Sequence, residues 1–364
     1  QERTPPMRFD YHTQYREGFA LWRSPFDRNL YALLLLVLCA LPWFLTPFML
    51  GEMAYVFILC VASLGLMSLT GLTGQVSLGH AAFIAIGAYG HAWFLSKGVP
   101  LPVSMMLAAV LSAAAGLLVG IPAIRVSGLY LAMVTLAFAI IVEQIIGHWS
   151  SVTGGFTGLA VNDPVFLGLS LSGSKAFYYF SLITLVLVLL VLLNILRSGM
   201  GRALIGVRES EAASYALGIP VERMKAGAFA LSAGITGLAG SMLAHHLKYL
   251  TPDGFTLLLS LELVLMVVIG GLGSLRGAVL GAVLISSLPT AISRIKPFLP
   301  DSVAKQFGLE TFIFGLVLAL FVLFEPMGLY GRWLKVRTWF QLFPFYRRGL
   351  FKRQKSFQKS DRLK

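Results

Sequence analysis

Glu143 and Glu262 are the two carboxylates that fall well inside long apolar runs of this chain. A charge near the centre of a membrane helix costs about 2.5–3.5 kcal/mol on insertion scales, so acids placed there default to functional roles. Such groups could attract an ammonium group or carry a proton. Each also stands near enough to the end of its run to snorkel or to meet a helix N–H, and both readings stay open. Other chemistry is thin. No Gly-x-x-x-x-Gly-Lys-[Ser/Thr] phosphate loop, His-Glu-x-x-His zinc helix or Gly-x-Ser-x-Gly elbow occurs. His12, His80, His91, His148, His245 and His246 include no i, i+4 pair, so no metal cluster is expected. Cys39 and Cys60 sit in apolar runs and read as small core residues.

The elements that must hold these groups follow from composition. Of 364 residues, 57% are hydrophobic and 12% charged, about half the ~25% charged share of a soluble domain. That is too little polar surface to coat a protein in water, so the chain is expected to be integral to a membrane. The net charge of +13 does not imply nucleic acid. Of 29 Lys and Arg, 21 lie in segments 1–29, 197–225 and 331–364, beside apolar runs, as the cytoplasmic bias of basic residues produces. The fold class expected is all-α, a polytopic transmembrane helical bundle of about ten spans with both termini cytoplasmic. The spans are 30–50, 52–70, 76–96, 101–122, 128–147, 176–196, 226–246, 256–275, 277–293 and 309–328. This threading puts Arg125 and Arg276 inside, and Lys97, Lys175, Lys248, Arg294, Lys296 and Lys305 outside. The last three strain it, which makes a glycine-rich segment at 71–79 or 270–281 a candidate re-entrant element.

Three regions follow: a tail at 1–29, a transmembrane body at 30–330, and a basic, aromatic tail at 331–364. In the first, Met7 is a plausible native start, and Phe9–Phe26 reads either as an interfacial helix or as a disordered basic tail. The last, with Trp333, Trp339 and Phe340, suits the headgroup boundary. Glycines cluster at Gly71–Gly79 and Gly270–Gly281, either for tight helix packing or for a substrate path. The most informative polar stretch is Arg202–Lys225. Glu211 to Leu217 favour a helix of about two turns, Gly218 can end it in the left-handed conformation, and Pro220 prevents continuation. A capped loop helix between two spans suits a knob inserted into a partner.

This loop resembles the coupling loop of importer-type ABC permeases, and the surrounding chain resembles the LivM-like half of the branched-chain amino acid permease family. The stretches that carry the resemblance are Thr70–Tyr89, Arg125–Phe138, Thr153–Leu159, Glu209–Pro220 and Gly270–Ser274, in the family's order. The tails match poorly. The coupling loop has four residues, Ser214 to Leu217, where the general pattern has three. An acid often follows the Thr-Leu-x-Phe run directly; here Ala139-Ile140-Ile141 intervene before Glu143, so urea, short amides and aromatic acids stand beside leucine-like ligands.

The resemblance implies a subunit of the bacterial inner membrane that is not an enzyme and binds no cofactor. It would form a pore with a LivH-like second permease, and ATP would be used by two ABC ATPase subunits. An extracytoplasmic solute-binding protein would deliver the ligand to the side bearing loop 148–175. Glu209, Glu211, Ala212, Ala213 and Gly218 would contact the ATPase. The translocation path would take in Ser77, Gly79, His80, Tyr130, Thr135, Gly154 and Gly155, with Glu143 and Glu262 beside them. The competing reading is a self-sufficient transporter or channel driven by protons through Glu143 or Glu262.

Overall fold

Prolines and glycines set where the helices begin and end. The computed structural model describes residues 25–126, 128–166, 169–170, 172–295 and 328–342, with positions 312, 315, 316, 319, 320 and 323. Helix α1 (Pro25–Ala40) stops at a 3-10 turn, Leu41–Trp43, that contains Pro42. Helix α2 (Pro47–Thr73) restarts behind Thr46, whose hydroxyl accepts from the Met49 N–H at 3.5 Å, with Pro47 in the first turn, where its missing donor is harmless. The expected span at 30–50 is therefore cut short, and its end passes to α2. At 27 residues, α2 is about 40 Å long, more than the ~30 Å of hydrocarbon in a bilayer. It ends at Gly74, whose φ of +72° is left-handed.

The chain continues through α3 (His80–Ser96), α4 (Leu101–Ala123), α5 (Leu129–His148) and the single turn α6 (Ser150–Thr153). Two-residue strands follow at β1 (Leu159–Ala160), β2 (Val165–Phe166) and β3 (Leu169–Ser170). Then come α7 (Ser174–Arg197), α8 (Gly199–Glu209), α9 (Glu211–Ala216), α10 (Val221–Leu247), β4 (Tyr249–Leu250), α11 (Leu257–Gly270), α12 (Leu275–Ile295) and α13 (Gly328–Leu342). β1 pairs antiparallel with β4, Leu159 opposite Leu250, and β2 with β3, Val165 opposite Ser170. Among the described residues, the all-α expectation is thus corrected only by four short strands.

Seven helices among the described residues are long and apolar enough to cross a membrane: α2, α4, α5, α7, α10, α12, and α11 taken with its leading turn from Pro252. The protein is a helical polytopic membrane protein. Ten spans were expected; α1 and the 17-residue α3 are shorter, and most of 309–328 and both termini lie outside the described residues.

The core is built on α10, which packs most extensively on α4 and then on α2 and α3. Through most of its length α2 is buried, and about a third of α5 and of α7 is. Lipid supplies no hydrophobic drive between helices, so close backbone approach must do the work. A Cβ at Gly87 would strike the Gly237 carbonyl of α10, and one at Gly240 the Ile84 carbonyl of α3. At Gly270 and Gly281 the same holds between α11 and α12, so the second glycine cluster is a helix crossing. Contacts fix the directions. His91 meets His245, and Tyr55 stacks on His246, at one end of the bundle, with the strands. At the other end α2 meets α8. These are the strand end and the α9 end.

Candidate functional site

The α9 end carries a knob. α8 begins behind Ser198, whose hydroxyl accepts from the Gly201 N–H, and buries Gly201, Leu204 and Val207. At its far end Ser210 closes α8 and caps α9, its hydroxyl accepting from the Ala213 N–H at 3.2 Å. The end of α9 closes as well. The Ile219 N–H donates to the Ser214 carbonyl at 3.0 Å and the Gly218 N–H to the Tyr215 carbonyl at 2.9 Å, with Gly218 at φ +77°. This is the Schellman arrangement, which satisfies carbonyls the helix leaves orphaned. The expected knob is present, as two short helices and not one.

One charge ties the knob to α10: Lys225 Nζ lies 2.7 Å from Glu211 Oε1, the lysine side chain 5% exposed and the glutamate 50%. Glu211 thus reaches toward α10 while half of its side chain stays in solvent. The outward face holds Ala212, Ala213, Tyr215 and Leu217, the last 80% exposed. The Tyr215 hydroxyl donates to Glu222 Oε1 at 3.4 Å. Desolvation, reinforced by the Glu222 carboxylate, raises the phenol above its ordinary value.

Midway along the bundle, the break between α2 and α3 gathers four of the expected path residues. The Leu78 N–H donates to Thr135 Oγ1 of α5 at 2.9 Å, and the Gly79 N–H to Ser77 Oγ at 3.3 Å. His80 is buried, its Nδ1 3.0 Å from Ser77 Oγ and its Nε2 2.8 Å from Ser232 Oγ of α10. Ser232 gives its one proton to the Gly65 carbonyl at 2.7 Å, so it must accept from His80 Nε2–H, and Nδ1 takes the proton of Ser77. His80 is thus neutral and fully partnered. The Ala81 N–H donates to Ser260 Oγ of α11 at 2.9 Å. A Cβ at Gly79 would lie 2.6 Å from the Thr135 carbonyl oxygen, which is why α5 comes so close. Hydroxyls from three helices thereby meet the Leu78 and Ala81 N–H groups and the His80 ring at the start of α3, the kind of partnering a broken helix needs inside a membrane.

The other expected path residues lie elsewhere. Tyr130, 73% exposed, lines an open cavity of about 530 Å³ with Arg125, Val126, Met133 and Val134 at the start of α5. Gly154 and Gly155, at φ +74° and +61°, form the turn after α6 near the strand end. Glu262 is half-buried and within electrostatic range of Tyr55, as is Glu52. Glu143 is half-buried on α5, and the two acids do not form a pair. Sequence reasoning missed Ser232, Ser260, Glu52 and the roles of Lys225 and Arg208. Serines inside apolar spans were the available signal, since a hydroxyl there must find a partner.

Comparison with known proteins finds sequence relatives of this chain. The family model described as "Branched-chain amino acid transport system / permease component" matches residues 48–324. The high-affinity branched-chain amino acid transport system permease protein LivM of Salmonella typhimurium is 34% identical over 298 residues, 72% of this chain and 68% of its own. A probable branched-chain amino acid transport permease protein LivH of Methanocaldococcus jannaschii is 26% identical over 303 residues, 79% of this chain and 93% of its own. The autoinducer 2 import system permease protein LsrC of an Enterobacter species is 29% identical over 252 residues, 65% of this chain and 68% of its own. No solved structure matches the chain. With three quarters of its length inside the family match, and its glycine break and capped loop helix falling within that stretch, the chain belongs to the branched-chain amino acid transport permease family.

Proposed function

We propose that the chain is the LivM-like permease subunit of an ABC importer in a bacterial inner membrane, for branched-chain amino acids or related small solutes. It pairs with a LivH-like permease, receives its solute from an extracytoplasmic binding protein at the strand end, and is driven by two ABC ATPases at the α9 end. It binds no cofactor itself; ATP is used by those partners. The observation that carries this reading is α9. Six residues are too few for a stable free helix, yet this one is capped at both ends, tied to α10 by Lys225, and presents Tyr215 and Leu217 outward. A rigid apolar knob at the junction of α8 and α10 suits a lever moved by a partner. Ser77, Gly79, His80 and Thr135 then form the part of the path that α5 and α10 would shift.

The test is affinity purification followed by uptake in liposomes. An ATPase pair and a second permease are expected to co-purify, and import is expected only with ATP and binding protein. Uptake by this chain alone, driven by a pH gradient and indifferent to ATP, would instead establish the proton-coupled reading.

A further inference from the structure

The α9 knob explains neither why both glycine-rich breaks come to one place nor what Arg208 does there. We propose that Arg208 is a positioning residue that links the α9 lever to the turns after α2 and α11, so that a displacement of the knob moves both. The inference rests on the reading of α9 as the ATPase contact.

Arg208 precedes the α9 cap, Ser210, by two residues, so the cap and the guanidinium move together. Its Nη1 donates to the Gly71 carbonyl of α2 at 2.8 Å. That carbonyl lies in the last turn of a helix ending at Thr73, among those that lack a partner within the helix. A cation there also meets the negative end of the helix dipole. Nε and Nη2 both donate to Glu209 Oε1, at 3.1 and 2.5 Å, which orients the fork. The second turn closes the site. A Cβ at Gly273 would lie 2.9 Å from Arg208 Nη1, one at Gly74 3.1 Å from Arg208 Cγ, and one at Gly71 3.0 Å from the Gly273 nitrogen. Gly74 and Gly273 leave the space the arginine fills, and Gly71 lets the two turns touch. Gly74 and Gly273 have φ of +72° and +82°, so each break turns on a residue that tolerates left-handed backbone. Through Gly271–Ser274 the second turn carries α12, and through Gly74–Gly79 the first carries the Ser77–His80 network. Lysine has one compact ammonium and cannot hold Gly71 and Glu209 with the same fork.

The test uses the full complex of both permeases, ATPases and binding protein in liposomes and reads solute imported per ATP hydrolysed. Arg208→Gln is expected to keep ATPase capture and ATP hydrolysis while import per ATP falls about tenfold, within the usual range of coupling between sites. Arg208→Lys, which keeps one donor for Gly71, is expected to fall between. A merely structural role would lower hydrolysis and import together, so an unchanged ratio in Arg208→Gln overturns the proposal. If Arg208→Gln does not insert, the Lys variant decides by the same ratio. Failure of both to reach the membrane also overturns it, by making Arg208 a folding residue. Failure of the underlying reading shows separately, in the wild type, as absent ATPases and absent ATP-driven import.

Discussion

A buried hydroxyl or ammonium in this bundle is held by a few named partners, so its removal is readable. Ser232 both accepts from His80 and donates to Gly65. Ser232→Ala leaves a buried ring N–H without a partner, while the Gly65 carbonyl keeps the Ser68 hydroxyl, and it is expected to cost about 1–3 kcal/mol, the usual penalty for an orphaned buried group. The thermal midpoint in detergent should fall accordingly, and a midpoint equal to wild type would mean that the His80 ring does not depend on Ser232. Lys225 makes a different case, because its side chain is buried while its partner is half in solvent. Glu211→Ala strands the ammonium, whereas Lys225→Met removes it and keeps much of the volume. The first is expected to cost roughly 1–3 kcal/mol, between the exposed-pair and buried-pair ranges, and the second about 1 kcal/mol or less. Equal midpoints for the two variants would mean that the lysine finds water, and that the pair does not hold α9 against α10.

At the scale of elements, α9 was legible in the sequence and the ends of its neighbours were less so. Gly218 and Pro220 act on backbone within a few residues, and the helix expected over Glu211 to Leu217 lies at Glu211–Ala216, with Leu217 as its C-cap and Ser210 as an N-cap the sequence reading did not name. The first span was misread because hydropathy runs unbroken through Leu41–Phe44, while Pro42 and Pro47 decide the geometry. The start of α3 at His80 depends on hydroxyls from α5, α10 and α11, which no local pattern reveals. Likewise Arg208 meets Gly71 across 137 residues of sequence. Glu143 and Glu262 were singled out for charge alone, and charge says nothing of which helices face each other. The caps yield their own prediction. Nothing lies within 4 Å of a Cβ at Gly218, so Gly218→Ala suffers only the strain of φ +77°, about 1–2 kcal/mol for a residue with a Cβ. That should loosen the end of α9 without unfolding the bundle. Weaker ATPase capture at unchanged membrane level is expected, and capture equal to wild type would mean the knob needs no fixed C-terminus.

At the scale of the molecule, the coupling role requires the two ends of the bundle to lie on opposite sides of the membrane. Apolar residues on the flanks of α4, α5 and α7 suit lipid or a second permease equally, so the outward surface does not tell the sides apart. The basic segments do: Arg197, Arg202, Arg208 and Arg223 cluster at the α9 end, where the positive-inside bias expects cytoplasm. Single cysteines can decide it. Leu217 at the knob is 80% exposed and Val165 at the strand end 51%. Of the two native thiols, Cys39 is exposed and Cys60 buried, so Cys39→Ala gives a quiet background. With a maleimide that cannot cross the bilayer, Val165→Cys should label in spheroplasts and Leu217→Cys only in inverted vesicles. If the knob docks on ATPases as proposed, adding them should shield Leu217→Cys and leave Val165→Cys reactive. Labelling of Leu217→Cys from outside the cell would place the lever away from any ATP and end the coupling reading, whatever the family.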